Sequence, residues 1–424
     1  MSSKEEVLDI IKGGKVDYVR VEFIDLNGNM RGRSLRRAEF EKIIEEEKGV
    51  MFSQALLFMD FEENPLTQSF EDILAYPDLS TFTLIPYLER TAIALSYLRT
   101  PDGLNSPYCS RSVLSKATET LGEKGISIEA SFEPTFYILD PNTLKPKDEA
   151  KAFSSEGLLY EQDLLKNVVK NLETMGIQVQ FTNKHYGPGQ YELSLVLKEP
   201  VQAADSLIMA KQVIRDTGKL FNSIITFMPK PHVDLPTNSM DLFIKLKTPD
   251  KKKLVDLNDT YGLHKLYKNF LSGILHHLKA ILAFSLPSIN SYKRIFDIFT
   301  SKVIGISTER HFMIRIPNNF KDTGIIELRI SDSLANPYLV LASVIYAGLQ
   351  GIEEGIEYDI GKEIDKPPYN LRESLYSLDK DTYLKSKLGE ELVNMYIKLK
   401  MREVESFEKH ICDWEFKTYL KTGY

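Results

Sequence analysis

The sequence is poor in the residues that build disulfide frameworks or thiolate metal sites. It contains two cysteines among 424 residues, Cys109 and Cys412, which are far apart and form no CxxC pair. This usage fits a reducing compartment and argues against a thiolate-bound metal. The longest apolar run, YLVLASVIYAGL at 338–349, is shorter than the roughly 20 residues a membrane-spanning helix needs. The charged N-terminus MSSKEEVLDIIKGGK also lacks the apolar segment of a signal peptide, so we expect a cytoplasmic protein with no membrane partner.

An excess of basic charge is also missing, because the formal net charge is −7. Nucleic-acid binding needs a basic surface, so we expect no nucleic-acid partner. Neither glycine-rich phosphate loop, GxxxxGK[ST] or GxGxxG, occurs in the chain. The composition, with 43% hydrophobic and 27% charged residues, is that of an ordinary globular protein. It does not exclude small anionic ligands, which need only a few well-placed arginines.

Turn-forming residues suggest where the chain divides. Residues 1–100 read as a small α/β unit that begins with a hairpin, VDYVRVEFIDLNGNMRGRSL, whose turn lies at Asn27–Gly28. The turn-rich stretch TPDGLNSPYCS, at 100–110, predicts a boundary. After it, helices alternate with isolated strands, and LHKLYKNFLSGILHHLKAILAF at 263–284 predicts one long helix whose histidines, His276 and His277, serve packing or lie at the surface.

Four predicted strands each carry an acidic side chain opposite a stripe of apolar ones. The strands are SFEPTFYILD with Glu133, YELSLVL with Glu192, MDLFIKLK with Asp241 and GIIELRIS with Glu327. Alternate side chains of a strand share a face, and a solvated face explains any single case. Acids on four strands favour a shared cavity instead, in which a cation separates carboxylates that otherwise repel each other. Hard oxygen ligands of this kind suit Mg²⁺ or Mn²⁺ held together with phosphate.

Arginines accompany these strands and their loops. They are Arg294, Arg310, Arg315 and Arg329. A guanidinium can bind a carboxylate or a phosphate through two hydrogen bonds at once. Acids and arginines in one cavity predict metal-assisted phosphoryl transfer to or from a small acid.

Several longer segments resemble the glutamine synthetase family. They are GPGQYE (187–192), FMPKP (227–231), NSYKR (290–294), ERHFMIRIP (309–317) and IELRISDSLANPYLVLASVIYAGLQGI (326–352). The resemblance runs along nearly the whole chain. It implies an α+β fold, with an N-terminal β-grasp domain at 1–100 and a catalytic domain of antiparallel strands and helices at 101–424. It also implies ATP and Mg²⁺ or Mn²⁺ as cofactors, a glutamate-like acid as substrate, and a homo-oligomeric ring, a dodecamer or hexamer, with active sites between subunits.

The resemblance also assigns roles to individual residues. It implies metal ligation by Glu133, Glu192 and Glu327, phosphate binding by Arg310 and Arg315, and glutamate binding by Arg294 and Arg329. Asp241 and His185 stand at two further metal positions, where the family has histidine and glutamate. We therefore expect one centre formed by Glu133, Asp241 and Glu327, and a mixed, weaker centre formed by Thr135, His185 and Glu192. The alternative is that neither centre binds metal and the acids are paired with arginines.

The chain departs from the family pattern where the chemistry takes place. In this chain, serine (Ser53) replaces the family's ammonium-site aspartate, and threonine (Thr300) replaces the flap glutamate. Other family residues are also replaced: a metal carboxylate by Thr135, a histidine by Phe243, an arginine by Ile325, and two loop glycines by Thr237 and Ser239. Without acids at Ser53 and Thr300, no evident group binds ammonium or accepts its proton, a contribution typically worth about 10²–10⁴-fold in rate.

Three functional hypotheses follow from these departures. The first is a catalytically silent or regulatory paralogue that assembles with a true glutamine synthetase. The second is an active ATP-dependent carboxylate–amine ligase with an altered substrate. The third is an ordinary glutamine synthetase with unusual ligands. The missing acids weigh against the third hypothesis, and losses at both ends of the reaction favour the first slightly over the second.

Overall fold

The computed structural model describes residues 4–67, 71–248, 254–295 and 303–420. Within them, the chain forms two β-sheets and a set of helices, as expected for an α+β fold. The positions of Thr300 and of most of the loop KTPDKKK lie outside the described residues.

The first sheet is built by the N-terminal part of the chain. Its strands are β1 (Tyr18–Ile24), β2 (Met30–Arg36), β3 (Val50–Ser53), β4 (Asp72–Pro77), β5 (Thr83–Leu84) and β6 (Thr91–Arg99), in the order β2-β1-β6-β4-β3 with β5 beside β6. The predicted hairpin is confirmed, because β1 and β2 pair antiparallel around Gly28, which has a φ of +83°. Two helices, α1 (Lys4–Lys12) and α2 (Arg37–Glu45), accompany this sheet.

The second sheet carries the acids. Its strands are β7 (Ser127–Leu139), β8 (Val179–Lys184), β9 (Gln190–Leu195), β10 (Ile224–Thr226), β11 (Met240–Lys247), β12 (Val303–Ser307), β13 (Phe312–Arg315) and β14 (Ile325–Ser331). The order is β12-β13-β14-β11-β7-β9-β8, with β10 beside β7. β7 is one long strand that pairs with β11 along its first part and with β9 and β10 along its second. The strands that carry Glu327, Asp241, Glu133 and Glu192 are therefore consecutive neighbours.

Helices cover and connect the two sheets. They are α3 (Ser110–Glu123), α4 (Ser155–Tyr160), α5 (Gln162–Thr174), α6 (Pro200–Leu220), α7 (Lys265–His276), α8 (Leu278–Ser285), α9 (Ile289–Ile295), α10 (Phe320–Thr323), α11 (Pro337–Glu354), α12 (Leu371–Lys380), α13 (Thr382–Leu388), α14 (Glu390–Lys409) and α15 (Asp413–Tyr419). The apolar run at 338–349 lies in α11 and is buried in the core. No helix in the described parts of the chain is both long and apolar enough to cross a bilayer.

The prediction of a single helix at 263–284 is wrong, because the chain breaks at His277 between α7 and α8. The His277 ring reaches Asp381 Oδ2 through Nδ1 and Gln350 Oε1 through Nε2, both at 2.6 Å. These contacts connect the break to α11 and to the start of α13. The packing role expected for this histidine is confirmed, since its side chain is buried.

A buried ion-pair network joins the first sheet to the rest of the molecule. Arg111 on α3 donates to both oxygens of Asp205 on α6, at 2.9 and 2.7 Å, and to Asp78 at 2.7 Å. Tyr338, at the start of α11, donates to Asp205 at 2.6 Å. Buried charges are stable only when they are paired in this way, so the network fixes the N-terminal sheet against α3, α6 and α11.

Candidate active site

The four acids lie on one face of the second sheet. Asp241 is directly opposite Glu133, Thr135 is opposite Glu192, and Phe243 is opposite Glu327. Asp241, Glu192 and Glu327 are buried, and Glu133 is partly exposed. The alternative of a merely solvated sheet face is therefore wrong. The structure brings the acids into one cluster, as the strand periodicity predicts.

Two arginines neutralise one half of this cluster. Arg329 Nη1 contacts Asp241 Oδ2 at 2.7 Å and also contacts Glu327 Oε1. Arg315 Nη1 contacts the other oxygen of Glu327, Oε2. The negative charge of Asp241 raises the pKa of Arg329, so this guanidinium stays protonated. Both oxygens of Glu327 are thus engaged by cations of the chain itself.

The other half of the cluster holds the carboxyl groups of Glu133 and Glu192. Glu133 and Glu192 hydrogen-bond each other, and Asn183 Nδ2 donates to Glu192 Oε2 at 3.2 Å. Burial raises the pKa of both carboxyl groups, and the negative charges of their neighbours raise it further. The raised pKa values favour a protonated form, which reduces the repulsion between the two neighbouring carboxyl groups.

His185 lies at the edge of this second half. Its Nε2 is 3.6 Å from Glu192 Oε1, and its ring packs edge-on against Phe153 and Tyr186. Burial lowers the pKa of His185 to about 4, so the imidazole is neutral at physiological pH. A neutral imidazole in this place can accept or donate a hydrogen bond but adds no positive charge.

The Gly-Pro-Gly turn is held rigidly in position between β8 and β9. Lys184 is buried and donates to the Gly187 carbonyl, while the Gly187 N–H donates to Gln190 Oε1 at 2.9 Å. Gly189 has a φ of +62°, where glycine is favoured. An added Cβ at Gly187 would collide with the Tyr137 hydroxyl, so only glycine fits there. The turn therefore fixes His185 on one side and Glu192 on the other.

The Thr135 hydroxyl is hydrogen-bonded to the backbone of a neighbouring loop. The Ser239 N–H donates to Thr135 Oγ1 at 2.7 Å, and the same hydroxyl donates to the Ser239 carbonyl at 3.2 Å. Thr135 is fully buried. The Thr135 hydroxyl both donates a hydrogen bond to the Ser239 backbone and accepts one from it. The residue therefore links β7 to the segment before β11.

The remaining predicted residues lie further along the sheet and its loops. Arg294, in the last turn of α9, is buried, which lowers its pKa, while the nearby Asp332 carboxylate acts in the opposite direction. Arg310 lies in the exposed turn between β12 and β13. Ser53 accepts a hydrogen bond from the Ala55 N–H at 3.3 Å and so caps the following turn.

Two residues that contribute to the site escaped the sequence analysis. Asn183 pairs with Glu192 across β8 and β9, so its side chain lies on the same face of the sheet, and the alternation of β8 could have revealed it. Asp332 directly follows β14 and is fully buried near Arg294. No local pattern marks it, since its importance depends on a helix that comes from elsewhere in the chain.

The acids of the cluster contact other groups of the chain and, among the described residues, do not form a ready metal centre. Across residues 4–67, 71–248, 254–295 and 303–420, no group of three or more histidine, cysteine, aspartate and glutamate side chains is placed to hold a metal ion. Arginines contact Asp241 and Glu327, and Thr135 is bound to backbone. Metal ligation by Glu133, Glu192, Glu327, Asp241 and His185 stays a prediction.

Comparison with known proteins shows the family of this chain. The family model described as "Glutamine synthetase, catalytic domain" matches residues 107–419. The glutamine synthetase of Methanococcus voltae is 28% identical over 456 aligned residues, covering 99% of this chain and 100% of the relative. That of Methanocaldococcus jannaschii is 29% identical, covering 98% of each. The chain belongs to the glutamine synthetase family.

Solved structures agree with the fold. A structure described as "Apo GmaS without ligand" superposes with a TM-score of 0.89 at 23% identity, covering 99% of this chain and 100% of the other. One described as "Crystal structure of novel glutamine synthase homolog" gives 0.86 at 24% identity, covering 95% and 97%. The predicted α+β fold, with its β-grasp and glutamine-synthetase-type parts, is confirmed.

Proposed function

We propose that this chain is a catalytically silent or regulatory member of the glutamine synthetase family that assembles with an active synthetase. The observation that carries the proposal is Thr135, which stands where the family has a metal carboxylate. Its hydroxyl is buried and bound to the Ser239 backbone, and a hydroxyl held in this way cannot replace a carboxylate ligand. The cytoplasmic location and the homo-oligomeric ring, a dodecamer or hexamer, belong to the same proposal.

The ammonium end of the reaction supports the proposal independently. Ser53 uses its hydroxyl to cap a turn and carries no negative charge with which to bind ammonium. On the sheet face, Phe243 and Ile325 are half-buried apolar side chains at positions where the family pattern has histidine and arginine. Binding of ATP, Mg²⁺ or Mn²⁺ and the proton transfer from ammonium would all lack groups that the family reaction uses.

Calorimetry with a non-hydrolysable ATP analogue, with and without Mg²⁺, tests the proposal. We expect no Mg²⁺-dependent binding at millimolar nucleotide, and no ADP release with glutamate and ammonium. Mg²⁺-dependent binding that disappears in Glu327→Ala would overturn the proposal. Glu129→Ala is the matched control, because Glu129 is an acid on the same sheet, in β7, and pairs with Lys247 away from the cluster.

The assembly part of the proposal has its own test. Native mass spectrometry of this chain mixed with an active glutamine synthetase from the same organism should show mixed oligomers. The specific activity of that synthetase should change with the ratio of the two chains. Separate oligomers of the two proteins, with unchanged activity, would contradict a regulatory role.

A second function is favoured by the retained arginines. Arg315 and Arg329 contact acids of the cluster. A solved structure described as "GmaS/ADP complex-Conformation 1" has a similar fold, with a TM-score of 0.88 at 23% identity. These features support an ATP-dependent carboxylate–amine ligase with a changed acid or amine. A neutral or larger amine depends less on an ammonium site. A screen of acids and amines for ADP release tests this function, and turnover with any pair would establish it over the silent paralogue.

A further inference from the structure

We propose that the guanidinium of Arg329 is the resident cation of the Asp241–Glu327 pair and excludes a divalent metal ion from this half of the site. A single nitrogen, Arg329 Nη1, contacts Asp241 Oδ2 at 2.7 Å and Glu327 Oε1. The inference goes beyond the proposed function, because it concerns which cation the site holds and does not depend on whether the chain turns over a substrate.

The backbone of β14 places Arg329 in this position. Met240 pairs with Ser331 and Leu242 pairs with Leu328, so β14 has two residues, Arg329 and Ile330, opposite the single residue Asp241. A β-bulge of this kind redirects side chains locally. Arg329 is also two residues from Glu327 on the same strand, so their side chains share a face. The contact with both acids thus follows from the strand register.

The second guanidinium makes exclusion of a metal more effective. Arg315 contacts Glu327 Oε2, while Arg329 contacts Glu327 Oε1, so each oxygen of this carboxylate already has a cationic partner. Mg²⁺ requires oxygen ligands at about 2.0–2.1 Å in near-octahedral geometry. It would have to displace two guanidiniums from a buried carboxylate and lie close to their charges, which is unfavourable where the dielectric constant is low.

Asp241 determines where Arg329 is directed. Its carboxylate is buried, and a buried charge is strongly destabilising unless it is paired. Arg329 supplies this partner for the Oδ2 atom of Asp241 from within the chain, without any ligand. A neutral side chain at position 241 would leave Arg329 in contact with Glu327 alone.

Titration of the full-length protein with Mn²⁺, followed by the loss of the free-ion EPR signal, tests the inference. We expect Arg329→Gln to bind an additional Mn²⁺ ion, at least about tenfold more tightly than the wild type binds at this centre, because a nearby positive charge has been removed. Asp241→Asn should not weaken the wild type's Mn²⁺ binding, whereas Asp241→Asn added to Arg329→Gln should abolish the gain. Arg329→Lys, which keeps the positive charge, should show no gain.

A matched control removes a guanidinium from a buried acid elsewhere. Arg402 on α14 contacts the buried Asp60 at 3.0 Å, so Arg402→Gln leaves an acid without this partner at a place outside the second sheet. It should gain no Mn²⁺ site. The inference is overturned if Asp241→Asn weakens Mn²⁺ binding by the wild type, because Asp241 would then be a metal ligand. Comparing Mn²⁺ binding by the wild type and by Asp241→Asn tests the inference even if Arg329→Gln does not fold. The comparison does not depend on ADP release.

Discussion

At the scale of single residues, buried charges connect the core to the candidate site. Lys211 on α6 is buried, and its Nζ donates to the Ser333 carbonyl at 2.6 Å. Ser333 in turn donates through its hydroxyl to the Ser239 carbonyl at 2.8 Å, next to the segment that holds Thr135. Burial, together with the positive charge of Arg215, lowers the pKa of Lys211 to about 7.

This pKa gives Lys211 a measurable effect on stability. Above pH 7 the unfolded chain still protonates the lysine while the folded chain does not, so stability rises with pH until the ordinary lysine pKa is reached. We expect the wild type to gain about 1.4 kcal/mol per pH unit relative to Lys211→Met between pH 7.5 and pH 9. Urea unfolding at several pH values measures this. Lys219→Met changes an exposed lysine on the same helix, so its free energy of unfolding should vary with pH as that of the wild type does. If the free energies of unfolding of the wild type and Lys211→Met differ by the same amount at every pH, the lowered pKa of Lys211 is contradicted.

At the scale of elements, α7 and α11 cross with their backbones almost in contact. A Cβ added to Gly273 would lie 2.7 Å from Gly351 Cα, and one added to Gly351 would lie 2.6 Å from Gly273 Cα. Glycine normally weakens a helix, so its presence in both helices reflects the close approach. The crossing fixes α11, whose N-terminus follows the Asp332–Ser333 segment at the site.

Alanine substitutions in two helices separate the effect of this crossing from helix propensity. Gly273→Ala should reduce the free energy of unfolding by about 1–3 kcal/mol, because the backbone carbonyl and Cα atoms it meets cannot move aside easily. Gly122→Ala in α3, where nothing lies within 4 Å of the added Cβ, should raise it by about 0.5–1 kcal/mol. Chemical denaturation of both variants measures the difference. Equal effects of the two substitutions would show that the helices do not approach each other so closely.

At the scale of the whole molecule, the C-terminal segment around α15 presents apolar side chains to the surface. Ile411, Trp414, Phe416, Tyr419 and Leu420 are between 58% and 74% exposed. From the sequence alone, Trp414 and Tyr419 are compatible with helix packing or with an oligomer contact. Because these side chains are exposed, packing within the chain does not explain them well. An exposed apolar patch of this kind is typical of a protein–protein interface.

Removal of this segment should therefore reduce the size of the assembly. We expect a chain that ends at His410 to form smaller oligomers than the full-length chain, as measured by size-exclusion chromatography with light scattering. The double variant Tyr369→Ala/Tyr376→Ala, which removes exposed aromatic side chains elsewhere, should keep the full-length mass. An unchanged mass after truncation would assign the segment to some other contact.

Local sequence patterns determined much of the fold and of the acid cluster. Alternation with a period of two placed Glu133, Glu192 and Glu327 on one sheet face, and Asn27–Gly28 marked the first hairpin. These features depend on residues close together in the chain, where backbone geometry alone decides which side chains share a face. Segment resemblance added the family, the expected roles of the residues and the positions that depart from the family pattern.

Only the tertiary structure decided which charges meet. The contact of Arg329 with Asp241 depends on a bulge in the register between β11 and β14, and the helix break at His277 depends on Asp381 and Gln350. The link between Thr135 and Ser239 joins residues 104 positions apart. Such contacts form between segments that are distant in the chain, so no local periodicity encodes them. The sequence thus determined that acids and arginines share a site, and the packing of the strands decided that they bind each other.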